Sequence, residues 1–229
     1  MLYCDGQKAI EGKAMLHDPE ERQIFGDIIA TGVSENDYMA QYAAGFCEWV
    51  EGNVIKMSPV TYEHDDLTTY LRRLVDTYFA LRPIGRVKSA PYVMKGSAEA
   101  RRREPDLQVI LNTNPGQITP TAMLGPADIC IEVVSDGSEA TDYGEKFIEY
   151  ETAGVQEYWI FDPRRRAYHF YRLNEDKVYA THPLDPEGNY STPLLPGLKV
   201  HVATLWQSPL PDPIATVAAV QAMMANTAE

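Results

Sequence analysis

Apolar residues recur at helical spacing along one long segment of the chain and at strand-like spacing in several short ones. In "TYEHDDLTTYLRRLVDTYFA", Leu67, Leu71, Leu74, Val75 and Tyr78 share one face, which predicts an amphipathic helix whose first turn carries Glu63, Asp65 and Asp66. Ser34, with Asp37 three positions on, predicts a capped short helix to about Ala43. "FCEWVEGNVIKMSP" reads as two short strands joined near Glu51 to Asn53 and ending at Pro59. Further strands are expected over Arg86 to Met94 and Leu107 to Leu111, on either side of the polar "KGSAEARRREPD". "NTNPGQITPTAMLGP" reads as a loop.

"DICIEVV" is too apolar for a half-wet edge strand, which places it in the middle of a covered sheet. A helix from Glu139 to about Ala153 should stop at Gly154, with Tyr143, Phe147 and Tyr150 along its packing face. "VQEYWIF", "AYHFYRL" and "KVYATH" predict three more strands, and "DPEGNYSTPLLPGLKV" a turn with a short strand. Residues 1–33 read as an irregular or partly helical arm, and residues 206–229 as a tail with a helical pattern.

Composition narrows the classes. At 229 residues and 45% hydrophobic content, one domain with a sizeable core is expected. With no 18-residue apolar stretch and no apolar core in "MLYCDGQKAIEGK", the expectation is a cytoplasmic chain without a membrane partner. Cys4, Cys47 and Cys130 form no C-x-x-C spacing, and Cys130 is expected to be a small buried hydrophobe. The formal charge of -13 argues against a simple nucleic-acid binder. It leaves room for a nuclease whose carboxylates hold divalent cations, with weak non-specific duplex affinity.

Candidate chemistry concentrates in a few positions. Glu132 falls on the same strand face as Cys130 and Val134, where an unpaired carboxylate is costly; metal ligation, a salt bridge or exposure at a strand end would each resolve it. Asp106, in "EPDL", stands at a strand start where a side chain can project into a cleft, although Pro-Asp is also an ordinary turn device. Asp142 and Lys146 are four apart in the favourable acid-before-base order, either as a surface ion pair or with the lysine delivered along the aromatic face toward the sheet. Glu63 and His64 open the long helix as first-turn groups or as members of a site. His17, His169, His182 and His201 form no metal spacing, and the arginine runs at 101–103 and 164–166 read as solvated turn charge or phosphate contacts.

These segments resemble the Uma2-type restriction endonucleases, a branch of the PD-(D/E)XK nuclease superfamily. The resemblance spans about residues 34–205: "VEGNVIKMSPVTYEH", "EPDL", "DICIEVVSDGSEATDYGEKFIEYETAGVQEYWIFDP" and "LLPGLKV", the third block being the most distinctive. It implies an α/β fold of restriction-endonuclease type, a mixed central β-sheet flanked by α-helices, with a centre that hydrolyses DNA phosphodiester bonds. It further implies that Asp106 and Glu132 hold Mg2+, with Mn2+ as a substitute, that Glu63 completes the ligand set, and that Val133 contributes a main-chain oxygen. Val134 stands where the superfamily's lysine is usual, so Lys146 is expected to take that role, with Asp142 and Tyr150 beside it and His64 as an auxiliary group. Ser135 is followed by Asp136 where relatives often carry proline. A homodimer follows from the need to cut two strands. The acidic balance and Val134 keep two other readings open, an inactive nuclease-fold scaffold or regulator and a metal-dependent hydrolase of small phosphodiesters or nucleotides.

Overall fold

A computed structural model describes residues 27–56, 60–96, 101–135 and 138–225. Most of the N-terminal arm, with Cys4 and His17, lies outside the described residues, as do Pro59 and Asp136. The elements run β1 (Asp27–Ala30), α1 (Glu35–Gln41), β2 (Cys47–Val50), β3 (Asn53–Lys56), α2 (Tyr62–Leu81), β4 (Gly85–Ser89), β5 (Val93–Lys95), β6 (Arg102–Arg103), β7 (Leu107–Leu111), β8 (Gln117–Ile118), β9 (Ala122–Leu124) and β10 (Ile129–Val133). A π-helical turn over Thr141–Glu145 leads into α3 (Lys146–Ala153), then β11 (Glu157–Asp162), β12 (Ala167–Leu173), β13 (Tyr179–Thr181), β14 (Asn189–Ser191), β15 (Lys199–His201), α4 (Val202–Leu205) and α5 (Pro213–Ala225).

The main sheet has six strands in the order β13-β12-β11-β10-β7-β4. It is mixed, because β10 runs parallel to β11 and antiparallel to β7. As its pattern predicts, β10 is central and buried along its whole length. Its two faces serve different layers. Ile129, Ile131 and Val133 pack with Leu67, Leu71 and Leu74 of α2, whereas Cys130 and Val134 join Tyr150 of α3 and Tyr158 of β11. Burial of each large aliphatic side chain contributes about 1.5–3 kcal/mol, so α2 is held mainly by this stripe. α5 lies against α2, with Val220 in the same core. No helix among the described residues is long and apolar enough to cross a membrane.

A second sheet, in the order β1-β3-β2-β6-β5-β9-β8, carries features that the pattern alone did not separate. The stretch Arg86 to Met94, expected as one strand, divides at Ala90 and Pro91 into β4 of the main sheet and β5 of the second. Proline lacks the N–H a continued ladder requires. The expected loop after Leu111 contains β8 and β9, the polar linker before Asp106 contains β6, and the expected irregular arm contains β1. These strands are too short to show a period, and their pairing comes from tertiary context.

Candidate active site

Three segments far apart in sequence meet at one end of the main sheet. β10 supplies Glu132, the residue just before β7 is Asp106, and the helix behind them supplies Asp142 and Lys146. Lys146 Nζ lies 3.1 Å from Glu132 Oε2 and 3.0 Å from Asp142 Oδ1, and each of the three side chains is at most 4% exposed. The Asp106 N–H donates to the same Glu132 Oε2 at 3.4 Å, and the Tyr150 hydroxyl donates to Glu132 Oε1 at 2.8 Å. Asp106 Oδ2 accepts the Val133 N–H at 2.7 Å and lies 3.1 Å from His64 Nε2. With its side chain 18% exposed, Asp106 is the member of this group that reaches toward solvent.

Local structure explains the convergence. Strand alternation turns Glu132 away from the α2 face, and the parallel pairing of β10 with β11 brings the connecting helix back over the side on which Glu132 projects. In the π-helical turn the Lys146 N–H bonds to the Thr141 carbonyl, five residues back. π-turns of this kind occur often at functional sites. Ser138 Oγ donates to Asp142 Oδ2 at 2.6 Å, which holds that carboxylate while its other oxygen faces the lysine. Thr61 caps α2 by accepting the His64 N–H.

Negative charge exceeds positive charge in this buried space. Burial, followed by repulsion from Asp106 and Asp142, pushes the Glu132 carboxyl up to about 8, against the opposing pull of Lys146. Burial also raises Asp142, with Asp106 adding to it. For Lys146, burial works against the charged form, yet Asp142, Glu132, Glu48 and Asp106 outweigh it and hold the ammonium well above its ordinary range. Burial likewise opposes protonation of His64, but its hydrogen bond to Asp106 and that residue's charge raise it on balance.

Sequence reasoning missed a second buried layer. Glu48 on β2 is 2% exposed and accepts a hydrogen bond from Arg103 Nη1 and one from the Glu104 N–H. Arg103 also binds Glu145 and Glu149, which flank Lys146 in sequence, so one ion network joins the segment before Asp106 to the lysine helix. Glu104 accepts from the Tyr38 hydroxyl at 3.2 Å, and burial with repulsion from Glu48 lifts its carboxyl to about 8. The arginine run at 101–103 is therefore not solvated turn charge: Arg102 and Arg103 are buried, and Arg101 and Arg102 pair with Glu145 and Glu35 respectively. The signal was present in "FCEWVEG", where Glu48 interrupts an apolar strand as Glu132 does.

Glu63, expected to complete a ligand set, is exposed on the first turn of α2, next in sequence to the His64 that contacts Asp106. Its neighbour His64 is buried, because a step of one residue turns a helix by about 100°. Tyr143 packs edge-on against His169.

Among the described residues no group of three or more His, Cys, Asp or Glu side chains is arranged to hold a metal ion. The donor set nevertheless suits a hard divalent cation held by few protein ligands. Asp106 and Glu132 offer oxygen only, and their mutual repulsion is what a bound cation would relieve. Mg2+ commonly binds through one or two carboxylates, completing its shell with water and substrate phosphate.

Comparison with known proteins points the same way. A family model described as "Uma2: Putative restriction endonuclease" matches residues 36–203. One solved structure, titled as a "putative nuclease belonging to DUF820" from Anabaena variabilis, superposes with a TM-score of 0.59 at 17% identity, covering 70% of this chain and 89% of that one. At that identity the likeness concerns the fold. No curated protein matches.

Proposed function

The chain belongs to the Uma2 family within the PD-(D/E)XK-like nucleases, and from that premise we propose that Asp106, Glu132 and Lys146 form a Mg2+-dependent centre hydrolysing DNA phosphodiester bonds, with Mn2+ as a substitute. The observation that carries this reading is the meeting at Glu132 Oε2 of the Lys146 ammonium, at 3.1 Å, and the Asp106 N–H, at 3.4 Å. A nuclease-type fold with no need for this chemistry has no evident reason to bury a lysine among three acids.

Asp106 and Glu132 would hold the cation, which supplies charge at the phosphate and lowers the pKa of attacking water. The protein's own groups do the positioning. Val133 N–H fixes one oxygen of Asp106, Tyr150 fixes one oxygen of Glu132, and Asp142 with Ser138 behind it aims Lys146. Lys146 keeps its proton, so it orients water by donating a hydrogen bond and offsets charge developing on phosphate oxygens. His64, held by Asp106 and made more basic than usual, can donate a proton to a departing oxygen. The chain would act in the cytoplasm, as a homodimer where both strands are cut.

A second reading, a nuclease-fold scaffold without turnover, draws on one observation: Lys146 and Tyr150 already satisfy both oxygens of Glu132. Incubation with supercoiled plasmid, RNA and a chromogenic small phosphodiester, with Mg2+ and with EDTA, separates the readings. Mg2+-dependent plasmid cleavage abolished by Glu132→Gln supports the nuclease. Hydrolysis of only the small ester redirects the substrate class, and inactivity on all three with no cation binding favours the scaffold.

A further inference from the structure

Beside the carboxylate centre lies a crevice of about 390 Å3, between the edge of the main sheet and the second-sheet module; its lining includes Arg72, Lys88, Ser89, Tyr92, Met39 and Thr121. No described residue lining it is acidic, in a chain with 33 acidic against 20 basic residues. Its cationic groups are held in place. Arg72 donates through Nε to Asp76 and through Nη1 to Ser89, which occupies two of the five N–H donors a guanidinium carries. Lys88 Nζ sits 5.7 Å from the centroid of the Tyr92 ring. That tyrosine is itself anchored, its hydroxyl lying 2.7 Å from the Thr119 carbonyl oxygen and 2.8 Å from that of Ala122.

The crevice adjoins the candidate centre. Ser89 pairs with Leu107, and the Ala90 N–H donates to the Asp106 carbonyl at 3.3 Å, so the crevice wall and the catalytic aspartate share a backbone junction. Arg72 lies eight positions beyond His64 on α2, about 12 Å along the helix axis. Measured along the axis of a duplex, where each strand rises about 3.4 Å per nucleotide, that span corresponds to roughly three to four nucleotides.

We propose that this crevice is a second anion subsite, in which Arg72 and Lys88 hold a backbone phosphodiester of the nucleic-acid strand a few nucleotides from the one placed at Asp106 and Glu132. This deepens the nuclease reading and rests on it. It also answers how a chain with net charge -13 engages a polyanion: local cations fix one phosphate beside the centre while the remaining surface repels. The competing role for Lys88 is to blunt β4, an edge strand, against pairing with another chain.

Fluorescence anisotropy of a short labelled single strand, measured in EDTA across a range of KCl concentrations, tests binding independently of cleavage. Arg72→Gln/Lys88→Gln should weaken binding about tenfold and flatten the salt slope by about 0.7, the share of one phosphate. Arg73→Gln/Lys177→Gln, with the same charge change at other exposed positions, should cost less than about twofold. Arg72→Lys/Lys88→Arg should retain most of the affinity. Circular dichroism and gel filtration establish that each variant is folded and of unchanged size. Equal losses from the two Gln pairs, an unchanged affinity, or no binding by the unsubstituted protein would overturn the proposal. So would aggregation of the crevice variant with binding intact, which assigns Lys88 to edge protection. Displacement of the strand by inorganic phosphate as readily as by unlabelled strand would make this a free-phosphate site and remove the strand assignment. Failure of Mg2+-dependent cleavage in the unsubstituted protein defeats the nuclease reading by a separate readout.

Discussion

Replacing Lys146 with Met tests the electrostatic heart of the site, because it removes one charge while nearly preserving volume. Nζ makes ion pairs of 3.1 and 3.0 Å with Glu132 and Asp142, all three side chains being at most 4% exposed. At an effective dielectric constant of about 20, each pair is worth roughly 5 kcal/mol before desolvation is counted. Loss of one partner of a buried pair typically costs about 3–5 kcal/mol, because the remaining charges stay behind without compensation. In a chain of this size each kcal/mol lowers Tm by about 2–4 °C, giving an expected fall of about 6–20 °C near neutral pH.

The sign of the pH dependence follows from the acids. Without the ammonium, Glu132 and Asp142 become harder to ionise in the folded state, so the variant loses stability as pH rises above their unfolded values near 4. The gap between parent and variant should therefore widen as pH rises through about 8, where the parent's Glu132 ionises beside Lys146, and narrow as pH falls. Thermal melts and urea titrations across this range measure it. Glu132→Gln/Asp142→Asn/Lys146→Met, which removes all three charges together, should recover much of the loss. A deficit below about 1 kcal/mol at neutral pH, or one that does not change with pH, would refute the reasoning.

Three other outcomes are expected. Glu104, raised to about 8 from its ordinary 4.5 by burial and Glu48, contributes stability that is complete below about 4.5 and lost as pH rises through about 8; Glu104→Gln should match the parent in acid and exceed it by a few kcal/mol near pH 9 in urea titrations. Glu48→Gln should cost about 1–3 kcal/mol and reduce turnover more than substrate affinity, since it loosens the tie from Arg103 to both the Asp106 segment and the lysine helix; equal kcat in a steady-state assay would remove that positioning role. Asp106→Asn should weaken Mg2+ binding in calorimetry while leaving Tm within about 2–4 °C, roughly 1 kcal/mol, because its side chain is partly solvated and the Asn oxygen can still accept the Val133 N–H.

Much of the frame was legible before any coordinates. The apolar stripe of α2 predicts a helix with one buried face and the continuous apolar run of β10 a strand covered on both, and each packs as read. Glu132 also announced itself, because a carboxylate among apolar neighbours requires a partner, and the structure supplies Lys146. What stayed hidden depends on contacts between distant segments. Arg102 and Arg103 sit in a polar stretch and look solvated, yet Glu35, Glu48 and Glu149 bury them by pairing. Glu104 is held at about 8 because the fold buries it and brings Glu48 of β2 beside it, against the opposing hydrogen bond from Tyr38 of α1. The strands β8 and β9 are held by partners rather than by any pattern of their own. Glu63 and His64 differ in fate although they are adjacent, since helix rotation buries one and exposes the other.

The central claim is that Asp106 and Glu132 share a divalent cation beside Lys146. Anomalous diffraction from crystals soaked in Mn2+ measures this directly. The account predicts a peak bounded by the carboxylates of residues 106 and 132, absent in crystals of Glu132→Gln. A parent crystal with no peak there, its Glu132 still locked onto Lys146 and Tyr150 at saturating Mn2+, would contradict it.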